Sequence, residues 1–281
     1  MAADGRDGTG VPGSPAQPTV DPGWLAARAA ADTSARAATL GSLLPELINY
    51  LIDTADRRDV LEIIDLGAGT GANQRWLAPR LPFIQRWIHL DHDPAISRSL
   101  PLLDDTMIID AGVETLGQLL ASSTEQHLVT CSALLDVLTM DQLDAVCRAV
   151  IDNQVPALFS LTVTGTLSLT PVEPHDQRLQ DAFNDHQRRA GRPGPDAGTL
   201  VVDVLCAGGF LVRTQETSWH LSGSSDSAFV EQLLRERLDA AVAHDPTLVA
   251  IAAAWLELRR SQLALGILGL EVGHLDILAL P

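Results

Sequence analysis

The sequence predicts an α/β protein built on an open, mostly parallel sheet with helices on both faces. Three observations carry that expectation. Short apolar runs rich in β-branched residues alternate with stretches of helical periodicity, which implies parallel strands joined by right-handed crossovers. A glycine-rich loop follows the first of these runs directly. The chain has 281 residues and is 46% hydrophobic, enough for one large core with an added subdomain.

The elements follow in order. Residues 1–22 are rich in Gly, Pro, Ala and Asp, with little to bury, and read as a disordered tail. A helix is predicted from Trp24 to about Ala38. A second runs from Leu43 to Ala55, where Leu44, Leu47, Ile48, Leu51 and Ile52 recur at helical spacing. Together these form an N-terminal helical cap over 23–58, ahead of a main domain over 59–281. Val60–Asp65 reads as a buried strand ending in a tight loop, and a helix from Asn73 to Leu77 is limited by Pro79. Further strands are expected at Trp87–Asp91, Met107–Asp110, His127–Cys131 and Ala157–Thr162, with a helix over Asp141–Val150 before the last of them. A lid-like insertion is expected over 164–198, with a helix at Asp176–Ala190 and a Gly/Pro loop at 191–195. A helix over Thr199–Ala207, closed by Gly208-Gly209, and a strand over Phe210–Ser218 come next. A helical insertion spans 226–264 as two helices, Asp226–Ala243 and Thr247–Ala264, and Leu275–Leu280 closes the chain as a strand.

Composition narrows the function. The formal net charge is −17, so a polyanionic nucleic acid is disfavoured as a partner; Arg188, Arg189 and Arg192 make the one small basic group. No run of roughly 18 apolar residues reads as a membrane span, and no secretion signal is read at the N-terminus. Cys131, Cys147 and Cys206 have no paired spacing, which fits a reduced, cytoplasmic protein without a structural zinc site. All 19 basic residues are arginine. Without lysine there is no Schiff base for pyridoxal phosphate and no phosphate-loop lysine for a nucleoside triphosphatase.

The strongest local signal is Asp65-Leu66-Gly67-Ala68-Gly69-Thr70-Gly71. The glycines let the backbone turn sharply after a strand and approach a ligand, where the next helix begins. Asp91 ends the second strand, 20 residues after Gly71, where a carboxylate can accept from both ribose hydroxyls. That spacing also suits a nicotinamide dinucleotide. Asp65 separates the two readings, because a carboxylate beside an anionic pyrophosphate is repelled, whereas a sulfonium cofactor with an ammonium group attracts one. The residues therefore favour S-adenosylmethionine.

With these residues in place, the chain resembles the class I S-adenosylmethionine-dependent methyltransferases, of the bacterial small-molecule type, over roughly residues 60–165. The loop is similar to their first motif and Leu90-Asp91-His92-Asp93-Pro94 to their ribose motif. Ile109-Asp110-Ala111 is similar to the adenine motif, and Val129–Asp136 lies where the fourth motif falls. The resemblance implies a Rossmann-like, seven-stranded sheet with its last strand antiparallel. It also implies a cofactor site made by Asp65, Gly67, Ala68, Gly69, Gly71, Asn73, Asp91, His92, Asp110, Ala111, Cys131 and Ser132, and transfer of a methyl group to a small-molecule acceptor with S-adenosylhomocysteine as product. The helices between 226 and 264 depart from the family's short hairpin. The fourth motif lacks the Pro-Pro-Tyr run of amino-directed nucleic-acid methyltransferases.

Other residues carry two readings each. Arg28, Asp32 and Arg36 are spaced as a solvated ion-pair ladder, or the helix folds over the cofactor and Arg28 or Arg36 holds the methionine carboxylate. Asp176, Leu179, Phe183 and His186 form one helical stripe, so His186 is a general base facing the site or a core histidine bonded to a carbonyl. His175-Asp176 is a similar case: Asp176 is a helix N-cap or, like His186, a catalytic acid–base candidate. Asp136 ends a turn or positions substrate. His89 and His92 near aspartates do not make a metal site, since Asp91 has a ribose role. The alternatives to a methyltransferase are an NAD(P)-dependent oxidoreductase, which lacks the usual Tyr–Lys pair here, and a non-catalytic cofactor-binding relative.

Overall fold

The computed structural model describes residues 22–54, 60–92, 105–223 and 226–281. The expected tail up to residue 21 and the Asp93-Pro94 part of the ribose motif lie outside the described residues. The helices are α1 (Pro22–Ala35), α2 (Ala37–Gly41), α3 (Leu43–Thr54), α4 (Ala72–Leu77), α5 (Leu116–Ala121), α6 (Met140–Asp152), α7 (Asp176–Gln187), α8 (Ala197–Ala207), α9 (Ser227–His244) and α10 (Val249–Ala264). The strands are β1 (Leu61–Leu66), β2 (Gln85–Asp91), β3 (Thr106–Asp110), β4 (Gln126–Ser132), β5 (Ala157–Thr170), β6 (Leu211–Glu216), β7 (Trp219–Ser222) and β8 (Gly269–Leu280).

The strands pair in the order β3-β2-β1-β4-β5-β8-β6, with β7 added to the free half of β8. Strands β1 to β5 run parallel, and β8 is antiparallel to both β5 and β6. The expected seven-stranded plan with an antiparallel last strand is therefore present, and β7 makes an eighth strand that the sequence reading lacked. Both faces of the sheet are covered. On one, Ile64, Leu66, Val129 and Phe159 pack beneath α5, α6 and α8 with Leu116, Val146, Val150 and Val201. On the other, Ile63, Trp87, Leu128, Leu158 and Leu278 pack against α3 and α4 through Leu47, Leu51, Trp76 and Leu77. Two-sided burial is why β1 reads as an unbroken apolar run with no alternation.

Three boundaries differ from the sequence reading for one reason. β5 continues to Thr170 and β8 starts at Gly269, so residues 164–170 are strand, and the insertion begins only after them. Beyond the main sheet these two strands pair with each other, and β7 pairs with β8 over the same stretch. The result is a small antiparallel sheet that floors a third apolar cluster. Leu169, Trp219, Leu221, Leu270 and Val272 of that floor pack with Leu179 of α7, Val230, Leu234 and Leu238 of α9, and Ala252 and Trp255 of α10. The helices of the two insertions and α1 thus form one lid-like layer. The first helix also breaks at Arg36, giving α1 and α2 where one helix was expected.

The two parts of β5 are offset by register shifts against β8. At the first, Leu161 takes a left-handed conformation (φ 55°) and its N–H leaves the ladder. That N–H donates to Asp276 Oδ1 at 2.7 Å. Asp276, wholly buried in β8, also accepts from Thr217 Oγ1 (2.9 Å) and from Thr39 Oγ1 of α2 (2.6 Å). One carboxylate therefore joins the bulge, the connection after β6 and the N-terminal helices.

Replacing Asp276 by Ala leaves three buried donors without an acceptor, and at about 1–3 kcal/mol for a buried group left unsatisfied the loss should reach at least about 3 kcal/mol. Urea denaturation of the variant and parent measures it. A loss under about 0.5 kcal/mol would show that the carboxylate is not the joint described.

Candidate active site

The loop after β1 is built as its sequence requires. Gly67, Gly69 and Gly71 have φ of 58°, 50° and 71°, all left-handed. At Gly67 space matters too, since a Cβ there would lie 2.7 Å from Leu134 Cδ1. The turn is closed by Gly67 N–H donating to Leu90 O and Gly71 N–H to Ala68 O, each at 2.8 Å. Arg75 braces its outer side by donating to Thr70 O at 2.6 Å.

Asp65 lies directly beneath the loop and is wholly buried. Its Oδ1 accepts from Asn73 Nδ2 of α4 at 2.7 Å, while Oδ2 is buried and has no hydrogen-bond partner. Strand register explains the next member. Asp65 is opposite Thr130 of β4, so both side chains leave the same face of the sheet. Asn73 Nδ2 also lies 3.1 Å from Thr130 Oγ1, which itself donates to Leu158 O. Arg36 completes the group. Its Nη1 donates to Asn73 Oδ1 (2.9 Å) and its Nη2 to Ser160 Oγ (3.1 Å), and the guanidinium lies 3.6 Å over the Trp76 ring. Burial pushes the Asp65 carboxyl up to about 7, opposed by the Asn73 hydrogen bond and the Arg36 charge. Burial likewise lowers Arg36 to about 10, opposed by Asp276 and Asp65.

Asp91 ends β2 at the opposite lip of the loop, where its Oδ2 accepts from Gly69 N–H at 2.7 Å. Exposed His92 Nδ1 lies 3.6 Å from Asp91 Oδ1. Asp110 is in register with Asp91 at the end of β3 and is exposed, and Ala111 N–H donates to Asp91 O. Ser132 ends β4, half-buried; it is followed by Ala133, whose φ is 53°. Asp65, Gly67, Ala68, Gly69, Gly71, Asn73, Asp91, His92, Asp110, Ala111 and Ser132 thus stand together along the C-terminal ends of β1 to β4.

Three sequence candidates change place. Cys131 alternates with Thr130, so it points to the other face and is wholly buried in the apolar core with Leu66 and Leu135. Burial raises its thiol far above the ordinary range. Arg36 is 3% exposed, and both its terminal nitrogens serve Asn73 and Ser160, so it braces Asp65 from within and does not face outward to a ligand carboxylate. The stripe of α7 faces the lid and not the loop. Leu179 and Phe183 pack with α9 and α10, while the charges of Arg189, His244 and Arg192 surround His186. The carbonyl bond expected of a core histidine is missing as well, since His186 Nδ1 is buried without a partner. Asp176 is tied to Trp255 Nε1, Arg259 and the Glu173 N–H.

Asp136 follows Ala133 in a short turn over 135–137. Burial pushes its carboxyl up to about 6, opposed by its own backbone N–H and by Arg28 and Arg192. Arg28 and Asp32 do form the expected i, i+4 pair (2.8 Å), and Trp219 Nε1 donates to Asp32 at 3.0 Å. Sequence reasoning missed Thr130, Ser160 and Trp76; the β1/β4 register reveals the first, and nothing local marks the other two. Among the described residues no group of three His, Cys, Asp or Glu is placed to hold a metal. No helix there is long and apolar enough to cross a membrane.

No family model matches the chain, and no curated protein matches it. Solved structures do. The cyclopropane synthase MmaA2 of Mycobacterium tuberculosis is similar at 12% identity, over 84% of this chain and 83% of that one, with a TM-score of 0.43. The YcgJ protein of Bacillus subtilis is similar at 13% identity, over 84% and 98%, with a TM-score of 0.44. An O-methyltransferase family protein of Burkholderia thailandensis is similar at 15%, over 67% and 58%, with a TM-score of 0.36. The likeness at these scores is general, and the fold rests on the strand pairing given above.

Asp65 makes apo stability depend on pH. Its folded value of about 7 lies above the ordinary 3.8, so the native state holds the proton more tightly than the unfolded one. Stability is fully present below about pH 4 and is lost as pH rises through about 7, by on the order of 4 kcal/mol. Asp65→Asn should therefore be more stable than the parent at pH 8, with the difference vanishing near pH 4. Denaturation midpoints at the two pH values test this, and a variant destabilised equally at both would refute it.

Proposed function

We propose that the protein is an S-adenosylmethionine-dependent methyltransferase of class I, acting on a small-molecule acceptor. The observation that carries the reading is Asp65 Oδ2, a buried carboxylate oxygen without a partner directly under a loop of three left-handed glycines. A buried acceptor of this kind wants a cation, and the ammonium of the cofactor fits. Asp91 would take the ribose hydroxyls, exchanging its Gly69 contact for them. Asp110 would accept from the adenine amine, with His92 and Ala111 alongside, and the Gly67–Gly71 backbone would lie against the methionine portion. Asn73 would hold Asp65, and Arg36 would hold Asn73.

When bound, that cofactor supplies an electrophilic methyl group on a sulfonium. The residues of the chain orient the acceptor for in-line attack and keep water out, so most of the rate comes from proximity. The lid layer of α1, α7, α9 and α10 is the part suited to cover the acceptor. Asp136, with its carboxyl pushed up to about 6 and standing just past the end of β4, is the group suited to take the acceptor's proton near neutral pH. The oxidoreductase reading has less support: Asp65 opposes a pyrophosphate, and a sequence without lysine offers no Tyr–Lys pair.

Calorimetric titration with S-adenosylhomocysteine and, separately, NAD(P)H decides between them. S-adenosylhomocysteine should bind, and the dinucleotides should not; tight binding of a dinucleotide alone would end the methyltransferase reading. Asp91→Ala should weaken S-adenosylhomocysteine at least about tenfold, a loss of about 1.4 kcal/mol. Because the ligand's ammonium favours the ionised form of Asp65, which is about half protonated at pH 7, binding there should also release up to about half a proton, seen as a heat that varies with the buffer's ionisation enthalpy.

A further inference from the structure

In the lid layer a half-buried cation stands without a carboxylate partner among the described residues. Arg237 of α9 lines a small cavity with Leu167, Leu179, Phe183, Leu234, Leu238 and Trp255. Its Nη2 donates to Gln180 Oε1 at 2.8 Å, and its guanidinium lies 3.9 Å over the Phe183 ring. Its Nε is buried and has no acceptor. No carboxylate of the described residues pairs with it, whereas Arg28 has Asp32 and Arg259 has Asp176. Asp176 lines the same cavity, but its Oδ1 serves Trp255 and Arg259 and its Oδ2 the Glu173 N–H. Burial alone lowers Arg237 to about 10.

Half-burying a guanidinium without a carboxylate partner costs free energy, and a lid needing only packing would fill the position with Leu or Met at no such cost. A guanidinium has five N–H donors, and Gln180 engages one of them. What the cavity lacks is a planar anion with an apolar body. The apolar cluster around it is continuous with the reaction end of the sheet, since Ala133 and Leu161 pack into the same cluster as Leu179, Leu234 and Trp255. His274 of β8 lies between the two ends. Its ring is 4.6 Å from Trp219, and burial first, then the charges of Arg28 and Arg237, lower its pKa to about 3. We infer that Arg237, over Phe183 and beside Gln180, is a carboxylate-binding subsite in the lid that anchors an acceptor carrying an acid group on an aliphatic or aromatic body. That the bound acid is the methyl acceptor rests on the methyltransferase reading; that the cavity binds a carboxylate does not. The free volume of about 20 Å³ admits one water-sized group, such as a carboxylate oxygen, so the body of the acid lies outside the cavity, on the solvent side of half-buried Arg237.

The test uses the full chain and calorimetric titration with hexanoate and benzoate, with hexanamide and benzamide as uncharged isosteres, and with sulfate. At least one of the carboxylates should bind at least tenfold more tightly than its amide and than sulfate. In Arg237→Met that carboxylate should lose at least tenfold while S-adenosylhomocysteine affinity stays as in the parent. Arg237→Lys keeps the charge, protects against loss of fold in the first variant, and should lose about fivefold because the planar fork is gone. Absence of binding by both carboxylates, equal binding of acid and amide, equal binding of sulfate, or undiminished carboxylate affinity in Arg237→Met or Arg237→Lys would each overturn the inference. Loss of S-adenosylhomocysteine binding in the parent would overturn the methyltransferase reading and leave the carboxylate result standing.

Discussion

A carboxylate buried at the end of the first strand is the constraint around which the other parts of the site are arranged. Asp65 is wholly buried between His89 and Thr130 of the neighbouring strands, with only one satisfied oxygen. In such surroundings an ionised acid is opposed by its desolvation, and a single neutral hydrogen bond does not offset it. The neighbourhood responds in layers. Asn73 is the second residue of α4 and meets Asp65 from above; Thr130 meets Asn73 from β4; Arg36 reaches in from the break between α1 and α2 to meet Asn73. The positive charge is kept one side chain away from the acid, with an amide between them. A direct Arg36–Asp65 pair would neutralise the carboxylate and leave nothing for a ligand. With the amide interposed, Asp65 is held in place and still one bond short.

The same break in the N-terminal helix ties this site to the lid. Residues on either side of it serve different ends: Arg36 goes down to Asn73 and Ser160, Thr39 goes to Asp276, and Asp32, one turn earlier, goes up to Trp219 of β7. Asp276 in turn holds the bulge at Leu161, where β5 leaves the parallel sheet and continues as the floor of the lid. A movement of α1 therefore acts on the brace of Asp65 and on the lid floor together, through bonds a few residues apart.

Much of the sheet was legible because it is buried on both sides, so that β1, β4 and the first half of β5 appear as apolar runs punctuated by Gly, Pro or Asp. The ends of β5 and β8 were not, because they leave the core and pair as a small antiparallel sheet. There Thr164, Thr166, Ser168 and Thr170 are exposed and alternate with Val163, Leu167 and Leu169, but Gly165, which packs against Pro195, breaks the apolar side of that alternation, and the tertiary pairing with 269–272 makes the stretch strand. β7 is four residues long and is held by β8 on one side. In the site, Asp65, Asp91 and the glycines were visible because each follows a strand end by a fixed interval. Cys131 was misplaced because position along a motif says nothing of which face a strand residue takes, and the Asp65–Thr130 register decides it. His186 was misplaced because the apolar stripe of a helix identifies a buried side but not what buries it, and here it is α9.

The chain also departs from its overall charge balance within the lid. Its surface is strongly acidic, with a formal net charge of −17, yet the lid interior holds Arg28, Arg237 and Arg259, and only two of the three are matched by acids. An anion approaching from solvent is repelled by the whole and attracted by one half-buried group, so long-range steering does not favour it. Selection on these terms depends on burial. A small, strongly hydrated anion loses its water for a single guanidinium and gains little, while an acid with an apolar body gains apolar contact at the mouth of the cavity as well. The arginine then discriminates by charge only among molecules that the apolar walls have already admitted, and an uncharged isostere that passes the walls leaves the guanidinium as costly as it was in the empty cavity.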